Sequence, residues 1–137
     1  MPFVVDASVA ACWIMPDERH AVAERAFARI ARDPIVAPCL WWFELRNVLI
    51  VNERRGRIDP AQSAKALRLL AALPVAIDTE VDEDALMQLA RRRRLTVYDA
   101  AYLELALRKR CPLATLDVAL ADAARAEEAQ LIGEGDT

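Results

Sequence analysis

Apolar residues along the chain fall in short blocks separated by longer stretches of helical periodicity. Four blocks read as buried strands: residues 2–5, 35–37 between Pro34 and Pro38, 74–77, and 113–116. The intervening segments predict helices over 8–15, 17–32, 40–54, 60–72, 80–93, 97–110 and 119–126. Val22, Ala26, Phe27 and Ile30 share one face of the second, Gly56 follows the third, and Pro60 suits the first turn of the fourth. Residues 130–132 are a candidate last edge strand. Short apolar strands alternating with helices predict an α/β, doubly wound fold with a parallel four- or five-stranded sheet covered on both faces. Ligands of such folds bind beyond the carboxyl ends of the strands. No repeat or linker interrupts the pattern. One domain is expected over residues 1–132, with 133–137 as a loose end.

The bulk numbers remove several classes. A chain of 137 residues can bury roughly two-thirds of its unfolded surface without staples. No apolar run approaches the ~18 residues of a membrane span, and no basic segment precedes an apolar one at the N-terminus. A cytoplasmic protein is expected. Cys12, Cys39 and Cys111 are far apart with no paired spacing, so neither a disulfide framework nor a zinc site is supported, and all three read as small buried hydrophobes. His20 is the single histidine, which excludes a histidine metal cluster. Net charge is −3, so any nucleic-acid binding depends on how charge is distributed.

Four carboxylates carry the chemistry: Asp6, Glu44, Asp99 and Asp117. Asp6 and Asp117 directly follow predicted strands, and each also suits a helix N-cap. Asp99 closes Thr96-x-x-Asp99, a capping-box pattern. Glu44 has no such local role. At about 100° per residue, Leu40, Trp41, Val48 and Val51 lie within about 60° of it, with Asn47 beside it. That face is expected to pack on the sheet, where a carboxylate needs a cation or strong donors. Acids gathered at ~4 Å repel by about 4 kcal/mol per pair at an effective dielectric of ~20. A bound divalent cation relieves that repulsion, and an all-carboxylate donor set favours Mg²⁺ or Mn²⁺ and phosphate chemistry.

Around these acids the chain resembles a known family. Val4-Val5-Asp6-Ala7-Ser8-Val9, Glu44-Leu45-Arg46-Asn47, Leu95-Thr96-Val97-Tyr98-Asp99-Ala100-Ala101-Tyr102-Leu103 and Leu113-Ala114-Thr115-Leu116-Asp117 are similar in order and spacing to PIN-domain ribonucleases, VapC toxins in particular. The resemblance spans nearly the whole length. It implies a three-layer α/β/α fold and Mg²⁺-dependent endonucleolytic hydrolysis of RNA, with Mn²⁺ a possible substitute. Asp6 and Asp99 would be direct metal ligands, and Glu44 and Asp117 would bind through water or hold a second ion. Ser8, Asn47 and Thr115 would orient the carboxylates. The family also implies a homodimer and a VapB-like antitoxin that blocks the site.

Other features have competing readings. Arg91, Arg92, Arg93 and Arg94 form either a phosphate-tracking patch for RNA or a solvated helix end whose cations suit the macrodipole. Tyr98 and Tyr102 read as core or rim residues outside the site. Trp42, roughly 160° round its helix from Glu44, is expected to be covered, either by a neighbouring helix of the same chain or by a partner. An aspartate-based phosphatase would want an acid where Ser8 stands. A response-regulator receiver would want an early acid pair and a late lysine, and fits poorly. Another Mg²⁺-dependent phosphoesterase, or a non-catalytic RNA-binding protein on the same fold, remains open.

Overall fold

The computed structural model describes residues 1–134. Its elements in chain order are β1 (Phe3–Val5), α1 (Ala7–Ile14), α2 (Ala21–Arg29), β2 (Ile35–Pro38), α3 (Cys39–Arg54), α4 (Pro60–Ala72), β3 (Val75–Asp78), α5 (Glu83–Arg93), α6 (Val97–Lys109), β4 (Leu113–Ala114) and α7 (Val118–Ala126). The strands form one parallel four-stranded sheet in the order β3-β2-β1-β4. Residue 131 adds an isolated parallel bridge to Leu113 rather than a fifth strand.

β1 and β2 are apolar and, apart from half-buried Pro38 at the end of β2, buried, as strands covered on both faces require. Helix α6 lies on β1, β2 and β4 and is flanked by α5 and α7; α1 anchors the other layer, touching α2, α3 and α4. The chain winds outward from β1 through β2 to β3, then returns to the opposite side of β1 as β4. The order therefore reverses between β1 and β4. Asp6 follows one of these strands, and Thr115 and Asp117 follow the other.

Helix starts follow side-chain capping. Asp59 and Gln62 form a reciprocal capping box ahead of Pro60, so α4 begins where its proline predicts. α2 begins at Ala21, four residues later than the periodicity suggested, because His20 Nδ1 accepts from the Val22 N–H and caps the helix there. α5 likewise starts at Glu83 behind its Asp82 cap. Residues 80–82 stay in a loop, with the Glu80 N–H donating to Asp78 Oδ1 at 2.9 Å.

Three expectations change. Cys111 is buried, but Cys12 is half-buried and Cys39 is exposed. Trp42 is not covered within the chain; it stays exposed, with the Arg46 guanidinium 3.8 Å from its ring centroid. The buried stripe of α3 is Trp41, Leu45, Leu49 and Asn52, so Glu44 lies about 100° from Leu45, at the margin of the packed face. Of the expected tail, Glu134 meets Arg125 at 2.8 Å, and residues 135–137 lie outside the described residues. No helix among the described residues is long and apolar enough to cross a membrane.

Candidate active site

Asp6 is the most constrained of the four acids. It ends β1, caps α1 and is 5% exposed. Its Oδ1 accepts from Ser8 Oγ at 2.6 Å and from the Val9 N–H at 3.1 Å, while Oδ2 accepts from Thr115 Oγ1. Ser8 Oγ in turn accepts from the Leu116 N–H at 2.9 Å, and Thr115 Oγ1 accepts from the Asp117 N–H at 3.0 Å. Two hydroxyls thus stitch the start of α1 to the turn after β4. Each hydroxyl gives its one proton to Asp6 and accepts one backbone N–H on its oxygen.

The other acids surround this knot. Asp117 caps α7 and accepts from the Leu120 N–H at 2.8 Å through Oδ1. Asp99 lies in the first turn of α6, where the Thr96 side chain caps its N–H at 3.1 Å. The return bond of a capping box is missing, and among the described residues nothing donates to the Asp99 carboxylate. Glu44 reaches in from α3 and accepts from the Tyr102 hydroxyl through Oε1. Tyr102 is 2% exposed and lies one turn after Asp99 on α6. Asn47 is exposed on α3.

The electrostatics register the crowding. Burial raises the Asp6 carboxyl above its ordinary value against the pull of Ser8, Thr115 and the Val9 N–H, and the charge of Asp117 raises it further. Burial also raises Asp99, helped by Asp117 and Asp6. Glu44 is raised by burial and by Asp6 and Asp99, against the stabilising Tyr102 hydrogen bond. The four acids share one field. They do not close into a tight cage: among the described residues no three acidic, His or Cys side chains converge as a ready-made ligand cluster. A hard cation that keeps several of its waters suits this spacing, and the donors are all oxygen. Three helix N-termini also meet here, each partly offsetting the acid it carries.

The arginine run is divided. Arg92 and Arg93 both bind Glu127, at 2.9 and 2.6 Å, while Arg91 and Arg94 have no ion pair among the described residues. Tyr102 is the residue that sequence reasoning left out of the site. Its spacing of three from Asp99 put it on the same side of α6, but its partner Glu44 is 58 residues away in the chain.

The acids stand at the topological switch point of a parallel α/β sandwich, where ligands of such folds bind. Residues 3–126 match the model of the PIN domain, and the chain belongs to that family. It is 37% identical over 126 residues to Ribonuclease VapC3 of Pyrobaculum aerophilum, covering 89% of this chain and 94% of that protein. Among solved structures it resembles PAE2754, also from Pyrobaculum aerophilum, with a TM-score of 0.70, 28% identity and coverage of 96% and 84% of the two chains. The fold is shared with VapBC2 from Rickettsia felis, solved bound to a DNA fragment from their promoter, with a TM-score of 0.67, 12% identity and coverage of 96% and 97%.

Proposed function

We propose that this protein is a divalent-cation-dependent endoribonuclease, the toxin of a type II toxin–antitoxin pair. The observation that carries the reading is the buried Asp6 carboxylate, pinned by Ser8 and Thr115 at the β1–β4 switch in the common field of Glu44, Asp99 and Asp117. The ribonuclease name of the Pyrobaculum relative supports the RNA substrate. The toxin–antitoxin context of its structural neighbours supports an antitoxin partner.

Asp6, Asp99, Glu44 and Asp117 would hold Mg²⁺, or Mn²⁺ in its place, in part through water. Such an ion lowers the pKa of the attacking water and neutralises charge on the phosphate and the leaving oxygen. Ser8 and Thr115 fix the Asp6 oxygens and prevent the carboxylate from turning away. Asp99, with no competing donor, offers both oxygens. Tyr102 donates to Oε1 of Glu44 and leaves Oε2 without a donor among the described residues. Leu120 occupies Oδ1 of Asp117 and leaves Oδ2. Asn47, exposed one turn after Glu44, would orient water or substrate. Residues 1–132 would act as one domain, since Leu131 and Ile132 are buried in the same core as β1. A second copy of the chain would cover the edge strand β3 and its surroundings, where Ile77, Val81 and Met87 are exposed. The protein would work in the cytoplasm, where its RNA is found.

The test is cleavage of total RNA by antitoxin-free protein in Mg²⁺, Mn²⁺ or EDTA, with Asp99→Asn prepared in parallel. Discrete fragments that need the cation and vanish with Asp99→Asn support the reading. RNA left intact by folded, cation-loaded protein overturns it.

A further inference from the structure

The acidic site makes no use of His20, the single histidine of the chain. That residue belongs to a second feature. A cavity of about 400 Å³ opens between α1, α2 and α4, with Trp13, His20 and Phe27 among its walls and Leu69 contributed by α4. The first turn of α2 forms one side of it, and two side-chain hydrogen bonds hold that turn. The imidazole Nδ1 of His20 accepts from the Val22 N–H at 3.1 Å. The Trp13 indole N–H, from α1, donates to the Ala23 carbonyl at 2.8 Å, and the Trp13 ring meets Phe27 edge-on with centroids 5.4 Å apart.

Asp6, Asp59, Asp82, Thr96 and Asp117 cap other helices of the chain through oxygen. His20 differs in kind. An imidazole accepts through Nδ1 only while that nitrogen bears no proton, so the bond to Val22 requires the neutral ring with its hydrogen on Nε2. Protonation makes both nitrogens donors. The Val22 N–H then faces another donor, and a positive ring at a helix N-terminus opposes the macrodipole. Both effects act against the closed turn. The charged and titratable groups around the ring act the other way on the freed imidazolium. Glu18 and Arg19 come from the loop before α2, Glu24 from α2 itself, and the Cys12 thiol, whose pKa burial raises, from α1; α4 brings only Leu69. Arg19 meets Glu24 at 3.3 Å and Arg57 meets Glu18 at 3.7 Å. These are exposed pairs that exchange partners readily, so both carboxylates offer the charged ring a place outside the cap.

We propose that His20 is a proton-operated latch on α2. Neutral, it caps the helix and holds the first turn closed against Trp13. Protonated, it releases that turn, frees the Trp13 indole N–H and opens the cavity. Histidine is the side chain that changes charge between about pH 5 and 8, so the latch works near neutrality. It lies outside the carboxylate site and stands whether or not the ribonuclease reading does.

The experiment is nuclear magnetic resonance of the folded chain, titrated from about pH 8 to about pH 5. Because His20 is the single histidine, its ring signals report its charge directly. Protection of the Val22 amide and of the Trp13 indole N–H against solvent exchange is followed in the same samples, corrected for the intrinsic effect of pH. Both should fall about fivefold, with the midpoint at which the His20 ring titrates. His20→Asn, whose amide oxygen caps at every pH, should stay protected throughout, and His20→Ala should be poorly protected throughout. The amide of Leu103, buried on α6, should be unaffected in all three and reports the intact fold. Val22 protection that does not change across the ring titration overturns the latch. So does a fall that survives in His20→Asn, which would assign it to Glu18 or Glu24. Loss at Val22 with Trp13 still protected also overturns it, because the cap would then be uncoupled from the cavity.

Discussion

The Tyr102 hydroxyl donates to Glu44 and ties α6 to α3 across 58 residues of chain. Burial and the negative charge of Glu44 push the Tyr102 hydroxyl far above the ordinary tyrosine range, so it remains a donor wherever the protein is folded. Because Asp99 lies one turn earlier on α6, a single buried side chain sets how Glu44 stands relative to Asp99.

Tyr102→Phe tests that link. Loss of one hydrogen bond to a half-buried carboxylate should cost about 1 kcal/mol in urea denaturation. The Glu44 carboxyl, no longer held down by its donor, should titrate higher still. Mg²⁺ affinity should weaken as well, which a purely structural loss would not cause. Calorimetric titration of the folded variant reads this directly.

Asp99→Asn should stabilise the protein in EDTA at neutral pH. The Asp99 pKa is raised above its ordinary 3.8, so the folded state takes up the proton more readily than the unfolded chain. Its stabilising contribution is fully present below the unfolded pKa and is lost as pH rises through the folded one. The neutral amide escapes that loss near pH 7, by an amount that solvent around this partly exposed carboxyl keeps small. The gain should vanish near pH 4. Thermal melts at the two pH values, without divalent cation, check the sign.

Thr115→Val should be costly where Asp99→Asn is not. It leaves buried Asp6 Oδ2 without its donor and the Asp117 N–H without its acceptor. A buried polar group left unpaired costs about 1–3 kcal/mol. Thr115→Ser, which keeps the hydroxyl, should recover most of it. Denaturation midpoints of the pair separate the hydrogen bond from the methyl group.

The arginine run should divide by function. Arg92→Ala and Arg93→Ala remove contacts to Glu127 and should lower stability slightly, as surface ion pairs do. Arg91→Ala and Arg94→Ala, at guanidiniums with no ion pair among the described residues, should instead flatten the salt dependence of RNA binding. Binding measured across a salt series distinguishes the two pairs.

How much of this was legible in the sequence depends on how local the determinants are. Asp59-Pro60 fixes the start of α4, and the apolar blocks fix all four strands, because each signal sits within a few residues. Asp6, Asp99 and Asp117 stand at strand or helix starts that the pattern already marked. The start of α2 is not legible, because Pro16 and Asp17 resemble a helix opening while the cap is His20, an uncommon choice. Periodicity puts Glu44 one stripe deeper than the structure does: it finds an apolar face, but neighbouring elements decide where the centre lies. Tyr102 was missed for a different reason. No spacing within one helix reveals which distant carboxylate a buried hydroxyl will meet.

The central claim is that the four carboxylates jointly hold a divalent cation, and direct binding tests it best. Mn²⁺ titrated into wild type, Asp99→Asn and Glu44→Gln, followed by electron paramagnetic resonance of the free ion, reports occupancy without reference to catalysis. The account predicts saturable binding in the wild type, with clear loss in both folded variants. Equal binding in all three, or none in the wild type, would contradict it.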